Sequence, residues 1–79
     1  MSDINQITGR QLATARALTG LEQTELADRA NVSAPTLRRM EAAKEGVVPM
    51  SNNVSAVIRA LEAAGVEFLN GTGVKLSAK

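Results

Sequence analysis

The apolar positions of the chain recur mostly at helical spacing. The clearest stripe repeats at i, i+3, i+4 and i+7, and it consists of Val54, Val57, Ile58 and Leu61. It predicts an amphipathic helix that begins at Ser51 or Asn52 and ends at Gly65.

A first helix is predicted near the start of the chain. Thr8 and Gln11 have the spacing of a capping box, in which each residue bonds the backbone N–H of the other, and Gly20 is placed to end the helix. Its predicted apolar side comprises Ile7, Leu12, Ala15 and Leu18.

Two short helices are predicted between these two. The first covers residues 23–30 and is followed by Asn31, a residue type that tolerates the left-handed backbone of a tight turn. Val32 is a single apolar residue that can fill the corner. Ser33 is a favourable N-cap for the next helix, and Pro35 lies in its first turn, where a missing N–H costs nothing.

Helical periodicity divides the second of these short helices into two faces. The predicted inward face contains Thr36, Leu37, Met40 and Glu41, and the outward face contains Ala34, Pro35, Arg38, Arg39 and Ala42. Two short helices joined by a three-residue turn, with polar residues facing outward on the second, form a helix-turn-helix over about residues 23–42.

The end of the chain has a different period. Val66 and Phe68 alternate with Glu67, and Val74 and Leu76 flank Lys75, while Asn70-Gly71 is typical of a turn. These features predict a short β-hairpin over about residues 66–76. A loop is predicted over residues 44–50, and residues 1–79 are predicted to form one domain.

The pattern resembles the lambda-repressor-like family of transcriptional regulators, also called the XRE or Cro-CI type. The residues that bear the resemblance are Gln23-Thr24-Glu25-Leu26-Ala27, Ala30-Asn31-Val32-Ser33 and Thr36-Leu37-Arg38-Arg39-Met40-Glu41, with Arg16 and Leu18 upstream and residues 58–68 downstream. The resemblance extends over roughly residues 8–76. It implies a mainly α fold, a four-to-five-helix DNA-binding domain with a short C-terminal β-hairpin or strand. Glu22 departs from the family, because a Ser, Thr or Asn cap is common there, and this predicts a weaker start for the second helix.

The resemblance also implies roles for single residues. Gln23 is expected to contact a phosphate or a base, Ser33 to donate to a phosphate, and residues 34, 35, 38 and 39 to face the major groove. The complete set expected at DNA is Gln23, Thr24, Ser33, Ala34, Pro35, Thr36, Arg38, Arg39 and Lys44. For Lys44 a solvated side chain is favoured over a specific contact, and a contact with a phosphate is the alternative. Arg16 and Glu41 match a family pair that joins the first helix to the third.

Composition narrows the function classes. The chain has 79 residues, a net charge of +1 and neither Cys nor His, so the usual general bases, thiol nucleophiles and metal ligands are missing. We therefore expect no enzymatic activity, no cofactor and no metal site. Because a single domain is predicted, we also expect no small-molecule effector. No segment is apolar enough for a membrane span or a secretory signal, and the expected location is the cytoplasm, on the nucleoid when DNA is bound.

The expected partners are double-stranded DNA and a second copy of the chain. A single small domain contacts few phosphates, so useful specificity requires two copies on half-sites about 34–36 Å apart. The tail is the predicted dimer contact, through Val66, Phe68, Leu69, Val74 and Leu76. The competing interpretation is that the tail only covers the core of its own subunit.

Two functions remain open at this point. Gln23, Ser33, Arg38 and Arg39 favour a sequence-specific DNA-binding regulator. The near-neutral charge and the Ala34-Pro35 pair favour the alternative, a helix-turn-helix module that binds protein, such as an antitoxin or an anti-activator.

Overall fold

The computed structural model describes residues 7–43, 51–69 and 73–76. Within these residues the chain forms four helices followed by one antiparallel pair of strands. The helices are α1 (Gly9–Thr19), α2 (Gln23–Ala30), α3 (Ala34–Ala42) and α4 (Asn52–Ala63), and the strands are β1 (Val66–Phe68) and β2 (Val74–Leu76). The predicted mainly α fold with a short C-terminal hairpin is confirmed.

Short-range hydrogen bonds begin three of the helices where the sequence predicts. At α1, Gln11 N donates to Thr8 Oγ1 and Thr8 N donates to Gln11 Oε1, both at 3.0 Å, which completes the capping box. Ser33 caps α3, and Ser51 rather than Asn52 caps α4. Each cap satisfies a backbone donor that the first turn of a helix leaves without a partner.

The start of α2 has a side-chain acceptor that the sequence analysis did not predict. Glu22 N donates to the carboxylate of Glu25 at 2.9 Å, so the acidic residue three positions on supplies the cap acceptor. A carboxylate at this end also interacts favourably with the helix dipole. The expected weakness of this helix start is therefore offset by Glu25.

The helix ends agree with the turn residues in the sequence. Gly20, with φ of 77°, and Asn31, with φ of 60°, adopt the left-handed conformation directly after α1 and α2. Helix α4 ends at Ala63, and Gly65 follows with φ of 104°. The predicted loop at residues 44–50 and the predicted Asn70-Gly71 turn lie outside the described residues.

The hydrophobic core lies between the four helices and extends beneath the hairpin. Its largest fully buried apolar side chains are Ile7, Leu12, Leu26, Leu37, Val54, Val57 and Leu61. The hairpin pairs Val66 with Leu76 and Phe68 with Val74, and Gln11 Nε2 donates to Gly73 O at 3.4 Å, which links α1 to the hairpin. Gln11 is only 1 % exposed, so a polar side chain is buried where helix and hairpin meet.

The predicted position of Leu18 is wrong. The side chain was expected on the apolar side of α1, yet it is 40 % exposed. Leu18 lies six residues after Leu12, and at about 100° per residue it points about 120° away from it around the helix. The three-residue spacing between Ala15 and Leu18 therefore does not by itself bury Leu18 beneath the neighbouring helices.

Gly9 allows α1 to approach α3 closely. A Cβ atom at this position would meet the carbonyl oxygens of Met40 and Ala43, at the end of α3. Because those atoms belong to the backbone, they cannot move aside as a flexible side chain would. The first turn of α1 therefore requires glycine for packing, although its backbone is helical.

Candidate nucleic-acid interface

The turn between α2 and α3 sets the relative position of the two helices. Val32 N donates to Ala27 O at 2.9 Å, and Asn31 N donates to Asp28 O at 3.1 Å, so the chain reverses within residues 31–33. Val32 is half-buried and packs on the core, as expected of the residue that fills the corner. Ala27, 3 % exposed, lies in the same region with a small side chain that permits close packing.

Helix α3 is held to the domain by one face. Leu37 is fully buried, Met40 is 8 % exposed and Glu41 is 9 % exposed. The opposite face, with Pro35, Arg38, Arg39 and Ala42, is exposed. The predicted division of this helix is thus observed for these residues, whereas Ala34 is half-buried and packs against the core.

A charged network anchors the inward face of α3 to α1. Arg16 Nε donates to Glu41 Oε2 at 2.8 Å, and Arg16 Nη2 donates to Glu41 Oε1 at 3.1 Å. This is the bidentate geometry typical of an arginine–carboxylate pair. Arg16 Nη1 also donates to Leu21 O at 3.0 Å, so the network includes the segment that precedes α2. The hydrogen bond with Glu41 raises the pKa of Arg16 above its usual value, against a smaller opposing effect of burial.

Gln23 joins this network, and the sequence did not indicate it. Its Nε2 donates to Glu41 Oε1 at 2.9 Å, so α1, α2 and α3 meet at one carboxylate. The residues are 18 positions apart in the chain, and no local pattern connects them. One donor of Gln23 is therefore occupied within the domain, and its contact with DNA stays a prediction that rests on the remaining amide atoms.

The two arginines of α3 have different surroundings from Arg16. Arg38 and Arg39 are exposed, and within residues 7–43, 51–69 and 73–76 neither has a hydrogen-bond or ion-pair partner. Their positions are set by the backbone of a helix whose other side is buried. The arrangement presents two guanidinium groups to solvent from a rigid support.

The hydroxyl groups at the start of α3 are bonded to each other. Ser33 Oγ accepts from Thr36 N at 3.1 Å and donates to Thr36 Oγ1 at 2.7 Å. The donor of Ser33 that was expected at a phosphate is thus directed at Thr36. Thr24, in the first turn of α2, is exposed, and Lys44 lies outside the described residues.

The hairpin residues expected at a dimer contact separate into two groups. Val66 is 3 % exposed, Phe68 is 5 % exposed and Val74 is half-buried against the core of the same subunit. Leu69 and Leu76 are 38 % and 49 % exposed. The competing interpretation, that the tail covers its own core, thus describes the first group, and the dimer prediction depends on the second.

Other kinds of site receive no support from the described part of the chain. Among those residues, no group of three or more acidic side chains is placed to hold a metal ion. None of the helices described above is long and apolar enough to cross a membrane.

The geometry defines a helix-turn-helix: two short helices, a tight turn, and a second helix with one anchored and one exposed face. A family model described as a helix-turn-helix domain matches residues 8–68, and the chain belongs to that family. This agrees with the resemblance to XRE-type regulators. Domains of this class bind DNA and are typically not enzymes. No curated protein is significantly similar to the chain in sequence.

Proposed function

We propose that the protein is a sequence-specific transcriptional regulator that binds a (pseudo)palindromic DNA operator as a homodimer, with α3 in the major groove. The observation that supports this most directly is the exposed, unpaired state of Arg38 and Arg39 within the described residues. Arginine is the commonest reader of guanine, because its guanidinium can bond O6 and N7 together.

The anchoring of α3 makes such a reader effective. Leu37 and Met40 are buried, and Glu41 is tied to Arg16 and Gln23, so the helix cannot rotate to turn its arginines away. A rigid support reduces the conformational entropy that is lost when the side chains are fixed on DNA. The helix-turn-helix class places the second helix against base edges in this way.

The weak net charge supports the homodimer part of the proposal. With +1 overall, one subunit gains little nonspecific attraction from DNA phosphates. Two copies on half-sites about 34–36 Å apart would add their specific contacts. Leu69 and Leu76 are the exposed apolar residues of the hairpin, and we assign the dimer contact to them and to the strand edge.

DNA binding is tested by selecting sequences from a random duplex library and measuring affinity for the selected site by fluorescence anisotropy. Arg38→Ala and Arg39→Ala should each weaken binding by about 1–3 kcal/mol, while their thermal midpoints stay near that of the parent. Arg59→Ala serves as a matched control, since Arg59 is exposed on α4. If no sequence is enriched, or if both α3 variants bind as the parent does, the proposal is wrong.

Dimer formation is tested by sedimentation of Leu76→Lys, with Leu18→Lys as control at a comparably exposed leucine on α1. We expect the first variant to be a folded monomer with weak operator binding and the second to remain dimeric. Substitution is preferable to truncation after Gly65, because truncation would also remove the buried Val66 and Phe68. A Leu76→Lys chain that remains dimeric would exclude this surface.

The alternative function, a module that binds protein in the manner of an antitoxin or an anti-activator, is favoured by the net charge and by the apolar Pro35 on the exposed face. The salt dependence of DNA binding distinguishes the two functions. Affinity for DNA should fall steeply between about 50 and 200 mM salt as phosphate counterions are exchanged. Absence of DNA binding at the lower concentration would favour the protein-binding function.

A further inference from the structure

The exposed face of α3 has an apolar end as well as a basic one. Pro35 is exposed in the first turn of the helix, and Arg39 lies four residues further on the same side. The neighbouring Ala34 is half-buried against the core, so Pro35 is the residue that extends the apolar surface outward. Proline has no backbone N–H, and its ring can offer only apolar contact.

The polar groups beside Pro35 are bonded to one another. Ser33 and Thr36 share the hydrogen bond between their hydroxyl groups, and Ser33 also accepts from Thr36 N. The hydroxyl donor of Ser33 is therefore already used within the domain. The exposed apolar side chain beside these two hydroxyl groups is Pro35.

Only one group in the major groove matches an apolar ring. The edges of guanine, adenine and cytosine present hydrogen-bond donors and acceptors, whereas thymine presents its 5-methyl group. We propose that Pro35 contacts a thymine methyl group and that Arg39 reads a guanine close to it in each half-site. This inference rests on the proposed function and adds the base preference at one position.

The helix geometry limits the distance between the two bases. Four residues correspond to a rise of about 6 Å along the helix. Successive bases are about 3.4 Å apart along each strand of DNA. With α3 lying along the groove, this rise by itself separates the thymine and the guanine by about two base pairs.

The experiment uses the full chain and the selected duplex. Each thymine is replaced singly by deoxyuridine, which removes only the 5-methyl group, and each guanine by 7-deazaguanine, which removes the N7 acceptor. Affinities are measured for the parent, for Pro35→Gly and for Arg39→Ala. Ala42→Gly is the matched control, because it places glycine on the exposed side at the other end of α3.

We expect one thymine in each half-site at which deoxyuridine weakens the parent about fourfold, the ratio for returning one methyl group to water. This effect should disappear in Pro35→Gly and persist in Ala42→Gly. The thymine should lie within about two base pairs of the guanine whose N7 effect disappears in Arg39→Ala. Thermal melts establish that the variants are folded, and Pro35→Ser, which places a better helix former than glycine in the first turn, replaces Pro35→Gly if glycine unfolds the chain.

Two outcomes would overturn the inference while leaving the proposed function intact. One is a selected site with an Arg39-dependent guanine but no thymine near it that responds to loss of its methyl group. The other is a methyl effect of equal size in the parent and in the Pro35 variant. Failure to select any DNA sequence would overturn both the inference and the proposed function.

Discussion

Replacement of Glu41 by alanine tests the network that positions α3. The carboxylate is 6 % exposed and accepts from Arg16 Nε, Arg16 Nη2 and Gln23 Nε2 at 2.8, 3.1 and 2.9 Å. Glu41→Ala removes all of these bonds. It leaves Arg16 with its bond to Leu21 O and with a partly exposed side chain that has lost its carboxylate partner.

The expected loss of stability is about 3 kcal/mol. Removing one member of a buried ion pair costs about 3–5 kcal/mol, because the other charge is left without a partner. The lower end applies here, since the Arg16 side chain is 23 % exposed and water can reach part of it. At about 4–8 °C per kcal/mol for a domain of this size, the thermal midpoint should fall by roughly 12–24 °C.

Thermal melts followed by circular dichroism provide the assay, with Arg38→Ala as the control on the exposed face of the same helix. The control should change stability by no more than about 0.5 kcal/mol. A second variant, Arg16→Met with Glu41→Leu, replaces the pair by apolar side chains and should be more stable than Glu41→Ala. Equal midpoints for Glu41→Ala and Arg38→Ala would refute the placement of this carboxylate, and a double variant no better than Glu41→Ala would refute the stranded-charge explanation.

Other substitutions test the packing and the caps. Gly9→Ala should destabilise the domain by about 3 kcal/mol in denaturant titrations, because its Cβ would meet backbone at Met40 and Ala43, while Gly20→Ala should cost only about 1–2 kcal/mol for its positive φ. Ser33→Ala removes the cap of α3 and should cost about 1 kcal/mol in the same assay. Phe68→Ala should cost about 3–5 kcal/mol and expose apolar surface to a fluorescent dye; a change under 1 kcal/mol would contradict its burial.

Much of the helical framework was predictable because its causes are local. Thr8, Ser33 and Ser51 each bond a backbone group three residues away, and such pairs can be identified in the sequence. Gly20 and Asn31 adopt the left-handed backbone that their residue types permit. The exposed position of Arg38 and Arg39 follows from the same periodicity that buries Leu37 and Met40.

The tail was only partly predictable. Alternation predicts strands at Val66–Phe68 and Val74–Leu76, but it does not determine what covers their apolar sides. The structure buries Val66 and Phe68 in their own subunit and leaves Leu76 exposed. This difference depends on where the hairpin lies against α1 and α4, which is a property of the assembled domain.

What the sequence determined by itself is the set of helices, the caps of α1, α3 and α4, and the two faces of α3 apart from Ala34, since these depend on residues a few positions apart. Tertiary structure alone decided which side chains share a partner across the domain. Gln23 reaches Glu41 because α2 and α3 converge, and Gly9 lies against Ala43 because α1 meets the end of α3. Contacts between residues distant in sequence form only when the helices pack, so no local spacing encodes them.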